Sequence, residues 1–426
     1  MRSRLLVSAV LAVAALATVL VGNVLDQSGT VLGSPHPPFI SRWDPRTHPL
    51  LVVSVLLMAA SVPLAPRLLH LRLAPLGFAV AVFAFTLVLR LALAFGRDGT
   101  GVWGRVFDLT RSGEARNEYL AGLPALQYGR GFFLDHFAEL VPALPVHVAG
   151  HPPGLLVAAD LFGLTTPGAL GAVCVIAGAL SAPLTYAVGR GLLDERGARA
   201  AALLMALAPA VLLHGVTSGD ALFLTLGLLA AWPLVSRRRG VRVAGALALA
   251  LVSFFAWSLL AVAAWAALVL LQRDGWRRAL ELAVLCGVAV LGFYVAVAAL
   301  TGFDPVGTLQ ATEAVYRVGV ADIRPYWFWL LGSPVAFLLA LGLPIAWLAA
   351  RELGEGSELA RAIFGVLHVA ALMGFTKAET ERIWLFFAPF VCLAAAPLLT
   401  DRRVMPVAAL LAVQAVATEA LFGSPW

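Results

Sequence analysis

Long apolar blocks alternate along the chain with short breaks rich in Arg, Asp, Glu, Gly and Pro. The blocks are continuous, without the every-other-residue alternation of membrane-barrel strands. Most approach the ~20 residues with which a helix crosses a bilayer. They predict thirteen spans, at 5–22, 49–66, 74–96, 168–189, 200–217, 220–235, 241–255, 257–272, 279–300, 328–350, 360–376, 384–400 and 404–421. The expected fold class is all-α: a polytopic membrane protein of about 13 transmembrane helices, forming a single membrane domain over residues 1–426. No internal repeat or low-complexity tract breaks the pattern.

Two polar stretches interrupt it, a large loop at 97–167 and a second at 301–327. The first holds GLLVAADLFG at 154–163, an apolar run too short to span. It is read as a juxtamembrane helix lying in the membrane interface. Residues 1–22 also have the basic start and apolar run of a secretory signal peptide. An uncleaved first span is preferred, because no small-residue cleavage site precedes the polar loop.

Composition narrows the class. Hydrophobic residues make up 61% of the chain and charged residues 13%, against roughly 25% charged in soluble domains, so a soluble protein is excluded. Of the 30 basic residues only Lys377 is a lysine, a bias that suggests a GC-rich bacterial genome. The net charge of +6 implies no nucleic-acid partner, since the arginines sit where topology uses them. Basic residues concentrate in cytoplasmic loops. A cytoplasmic N-terminus puts Arg67/Arg72, Arg190/Arg196/Arg199, Arg237–Arg239/Arg242, Arg273/Arg277/Arg278, Arg351/Arg361 and Arg402/Arg403 inside. That scheme requires 154–163 not to cross, and it makes 97–167 and 301–327 extracytoplasmic. The expected location is a bacterial plasma membrane, entered in many passes. Cys174, Cys286 and Cys392 all fall in apolar runs and read as small core residues.

Candidate chemistry then collects on the outer side. In FDLTRSGEARNEYL, Asp108, Glu114 and Glu118 stand beside Arg111 and Arg116. A helix would put Glu114 and Glu118 on one face, where a carboxylate can act as general base or help bind a divalent cation. A solvated helix laced with Glu–Arg pairs is the alternative. GFFLDHFAELV offers Asp135 and His136 among phenylalanines, a mixture suited to an interfacial helix. In VHVAGHPPG, two prolines fix the chain after His151, holding one imidazole where it can donate to a phosphate or sugar oxygen, or serve the turn alone. HGVTSGD places His214 and Asp220 at an outer boundary, where Asp220 can also cap the next helix. Arg324, next to a proline and an aromatic group, suits a phosphate clamp. TKAETERIW crowds Lys377, Glu379, Glu381 and Arg382 into one turn, as an ion-paired cap or as part of a site. Arg90 alone lies inside a predicted span.

The order of these features resembles the GT-C superfamily of polyprenyl-phosphate-dependent glycosyltransferases, most closely the protein O-mannosyltransferase and lipid A aminoarabinose transferase type, and actinobacterial membrane proteins of that kind. GEARNEYL resembles the acidic motif of their first outer loop, GHPPGLLVAADLFG their Pro-Pro juxtamembrane helix, and GALGAVCVIAGALSAPLTYAVGR the span that follows. HGVTSGDALF looks like the outer end of a later pair of spans. The likeness covers residues 74–240 in order. Where the family shows Asp-Glu, this chain reads Gly113-Glu114, so the base role carries to Glu114, with Glu118 and Asp108 as alternatives.

The resemblance implies a membrane glycosyltransferase that moves a sugar, with inversion, from a polyprenyl-phosphate donor to an extracytoplasmic glycan, lipid or protein. His151, Arg324, Lys377, Arg382, Asp220 and Asp135 are its candidate donor-binding residues; the cofactor is left open, with a divalent cation as the one candidate. A transporter or flippase is the alternative, favoured by Arg90.

Overall fold

A computed structural model describes residues 2–46 and 48–424. The protein is nearly all-α; among the described residues the only sheet pairs Arg42–Trp43 with Phe422–Gly423. Among the described residues, seven helices are long and apolar enough to cross a membrane: Leu6–Gln27, Leu51–His70, Pro75–Asp98, Pro167–Leu192, Trp257–Asp274, Trp276–Thr301 and Asp401–Leu421. Counting a bent pair as one span gives eight.

The expectation of thirteen unbroken spans differs from this at identifiable residues. The 200–217 block is two helices, Glu195–Leu207 and Pro209–Thr217. Pro209 has no N–H to continue the ladder and pushes Ala208 into an extended conformation, with ψ 119°. The 328–350 block is the bent pair, Tyr326–Leu341 and Leu343–Gly354, which meet at 117°. Gly342 takes a φ of 137° there, a conformation side chains resist, and Pro344 opens the second helix. The 384–400 block is a series of short turns around Ala388–Ala395. Arg239–Ser253 and Glu358–Met373 are continuous helices of 15 and 16 residues.

The chain divides into two compact units, one of residues 1–102, 174–228 and 324–424, the other chiefly of 103–173 and 229–323. In the first, Leu51–His70 packs against Asp401–Leu421 and Pro75–Asp98, and Glu195–Leu207 against Ala388–Ala395. Glu195–Leu207 is alanine-rich and buried along most of its length, and small residues let such helices approach closely. Arg90 is fully buried here. Its Nη2 donates to Val211 O at 2.7 Å, while Nε and Nη1 have no hydrogen-bond partner among the described residues.

In the second unit, Arg239–Ser253, Trp257–Asp274 and Trp276–Thr301 pack together. The Tyr294 hydroxyl ties them, accepting from Trp257 Nε1 at 2.8 Å and donating to Ser253 O at 3.1 Å. The polar segment after Trp103 is a run of 3₁₀ turns and short helices. Its eight-residue helix Gly154–Leu161 is far too short to span. It is held by Gly154, whose N–H donates to Phe254 O at 2.9 Å, in a contact too close for any Cβ. Phe133 and Phe137 are core side chains, ring to ring at 5.2 Å, with Phe303 packed against Phe137. Of the phenylalanines read as an interfacial face, only Phe132 is exposed.

Candidate functional site

The polar segment of the second unit builds one constellation. Ser112 caps the turn Gly113–Arg116, its Oγ accepting the Glu114 N–H. That turn is a 3₁₀ helix, and Glu118 is extended (φ −88°, ψ 169°) before the next 3₁₀ helix, Tyr119–Leu126. The single α-helix expected to align Glu114 with Glu118 is therefore absent. Their carboxylates converge nonetheless, on His147. The backbone N–H of His147 donates to Asn117 O at 2.9 Å, which pins the short helix Val146–Ala149 beside the acidic turn. His147 Nε2 then lies 3.5 Å from Glu114 Oε1 and 3.7 Å from Glu118 Oε1. Asn117 Nδ2 steadies Glu114, donating to its Oε1 at 3.2 Å. Glu118 is 1% exposed, whereas Glu114 is half-buried. The Tyr119 ring stands 6.5 Å from the His147 ring and 6.4 Å from that of His151.

A buried carboxylate, a more open one and a bridging imidazole can exchange a proton among themselves. The arrangement has the parts of a general base with a counter-ion. Reading the sequence missed His147, although it lies in the VHVAGHPPG motif. The available signal was its four-residue spacing from His151, which carries both rings to the same Tyr119.

Two other acids of this segment point elsewhere. Asp108 Oδ1 accepts from the Thr110 hydroxyl at 2.6 Å and the Thr110 N–H at 2.9 Å. These bonds, the hydroxyl's first, hold its carboxyl below the usual range. It closes a turn at the surface. Asp135 is exposed, lies 3.5 Å from His136 Nδ1, and sits against Gly302 at the end of Trp276–Thr301.

The first unit builds a second constellation from Asp220, Arg324, Glu379 and Arg382. Arg324 Nη2 donates to Glu379 Oε1 at 2.7 Å, and Arg382 Nη2 to Glu379 Oε2 at 2.9 Å. Arg382 Nη1 donates to Asp220 Oδ2 at 2.5 Å, which also takes the Ser218 hydroxyl at 3.0 Å. Arg324 is further held by two carbonyls, Lys377 O at 2.7 Å and Gly33 O at 3.2 Å. Burial alone would raise the Glu379 carboxyl, but the charges of Arg382 and Arg324 outweigh it and keep it low. For Glu381 burial prevails over the charge of Arg382. Its Oε1 accepts the Ile40 N–H at 2.8 Å, its Oε2 is buried with no hydrogen-bond partner among the described residues, and burial pushes its pKa up to about 7.

Of the sequence candidates, then, the structure joins Glu114 with Glu118, and Asp220 with Arg382 and Arg324. Lys377 contributes its carbonyl to the second group, and His151 flanks the first across Tyr119. No group of three or more His, Cys, Asp or Glu among the described residues is arranged to hold a metal ion. No protein-family model matches the chain, and no curated protein matches it.

Proposed function

We propose that the protein is a membrane glycosyltransferase of the GT-C kind, transferring a sugar from a polyprenyl-phosphate donor to a hydroxyl of an extracytoplasmic acceptor. One observation carries the reading: Glu118, nearly inaccessible, shares an imidazole with Glu114 in a segment of helices too short to cross a bilayer. Glu118 takes the acceptor's proton as the hydroxyl oxygen attacks the anomeric carbon. The bond from that carbon to the phosphate oxygen breaks, its electron pair leaves with the lipid phosphate, and the anomeric configuration inverts. Glu114 and His147 balance the charge that moves.

Arg324, Lys377, Arg382 and His151 are proposed for the donor phosphate, with Asp220 and Asp135 as further donor-binding candidates. The topology of the proposal has a cytoplasmic N-terminus in a bacterial plasma membrane. It restores thirteen passes by letting the shorter and broken helices complete spans.

The test is incubation of purified protein with a panel of labelled polyprenyl-phosphate sugars and hydroxyl acceptors. Transfer of label by the native protein, lost in Glu118→Gln at unchanged protein level, is the expected result. Transfer undiminished in both Glu118→Gln and Glu114→Gln would remove the base. A transporter is the second reading, supported by fully buried Arg90 in the helix Pro75–Asp98 and by the bent pair at Gly342. Uptake of a labelled solute into proteoliposomes, abolished by Arg90→Leu, would favour it.

A further inference from the structure

We infer that Glu379 occupies the seat of a phosphate monoester: Arg324 and Arg382 form an anion site that the chain's own carboxylate fills until a ligand displaces it. The inference rests on the donor-phosphate reading above and goes beyond it by naming an internal competitor. Glu379 gives one oxygen to each guanidinium, at 2.7 and 2.9 Å, as two oxygens of one phosphate group would.

Both arginines are oriented independently of it. Arg382 keeps Asp220, and Arg324 keeps the Gly33 carbonyl, both outside the turn at 377–379. Gly33 presses on the Arg324 stem, where an added Cβ would fall 2.7 Å from its Cγ. The seat would therefore hold its form when Glu379 leaves. With Glu379 gone, the two guanidiniums lose the counter-charge they share, and an incoming anion restores it.

The backbone supplies a second, independent observation. Ala378 and Glu379 have φ of 60° and 58°, and among the described residues they are the only non-glycines in the left-handed region. Such strain persists where surrounding structure over-determines it, and it collects at clamps and switches. Here the ion pairs of Glu379 hold the turn in that conformation. Releasing the carboxylate relaxes residues 378–379, and that relaxation offsets part of the cost of losing the pairs.

Binding of inorganic phosphate and of a polyprenyl monophosphate to the purified full-length protein in detergent tests this. Glu379→Gln is expected to tighten binding of both by roughly tenfold or more, and adding Arg324→Gln should abolish the gain. Tighter binding of the lipid form than of free phosphate assigns the seat to a lipid headgroup; equal binding assigns it to a soluble phosphate. Should Glu379→Gln not fold, Glu379→Asp keeps the charge but shortens the bridge, and it is expected to tighten binding less. Unchanged or weaker binding in a folded variant overturns the seat. Its failure beside intact sugar transfer would leave the transferase reading standing. A tightened seat in a protein that transfers no sugar would leave the seat and remove the transferase.

Discussion

The two carboxylates on His147 are not equivalent, and their difference sets an order of effects. Glu118 is buried, while Glu114 is half-open and already engaged by Asn117. A general base contributes roughly 10²–10⁴-fold, so Glu118→Gln should lower kcat across that range with KM little changed. Glu114→Gln should cost about tenfold or less, within the same mechanism. Steady-state kinetics on the two variants check the ranking, and equal losses would contradict it.

Glu381 gives a prediction about stability. Its folded pKa of about 7 lies above the ordinary 4.5. Between those values the folded state holds a proton that the unfolded state has lost. Stability therefore falls as pH rises through that window, and it is undiminished below it. The loss is of order 1–3 kcal/mol by pH 8. Glu381→Gln should flatten thermal unfolding between pH 5 and 8 and raise the midpoint at pH 8. A wild-type midpoint that climbs over the same range would refute this. The four-residue spacing of Glu114 and Glu118 was legible in the sequence. The imidazole between them was not, because a backbone bond to Asn117, thirty residues away in sequence, delivers it.

Helices in this chain end where a backbone group is removed or twisted, and hydropathy does not see such points. The apolar block around 200–217 is uniform in character, yet Pro209 cuts it. The block at 328–350 reads as one span, yet Gly342 and Pro344 turn it through 117°. Both breaks are written in the sequence as single letters, outweighed there by many apolar neighbours. The placement of Gly154–Leu161 was legible in part, since its shortness excludes a span. What anchors it was not: the Gly154 backbone meets the Phe254 carbonyl with no room for a side chain. Gly154→Ala should force that contact apart and cost about 1–3 kcal/mol, as overpacking does. Gly131→Ala is the control, with open space around its added Cβ and a helical position that favours alanine. Thermal unfolding in detergent separates them. A Gly154→Ala protein as stable as the control would mean that the Phe254 contact does not hold the helix.

At the scale of the whole molecule, the membrane class was legible because it depends on averages over many residues, which no single break disturbs. Orientation depends on one segment. The helix Pro167–Leu192 has 26 residues, and at 1.5 Å each it runs about 39 Å, enough to cross a hydrocarbon core of ~30 Å. Gly154–Leu161, with eight residues, runs about 12 Å and cannot. Between Leu126 and Pro167 the longest described helix is that one, so this stretch has no means of crossing. A tag near residue 130 and a tag near residue 195 are therefore expected to report opposite faces. The arginine-rich turn Arg190, Arg196 and Arg199 favours the cytoplasm for the second, and the proposed topology accordingly puts Glu118 and His147 outside. Paired reporter fusions at the two positions measure this directly. Activity of one reporter type at both positions would place 97–167 and 190–199 on the same face. Where the shared reporter is the cytoplasmic type, the extracytoplasmic acceptor is also removed from the proposed reaction, because the carboxylate pair then lies on the side opposite the acceptor.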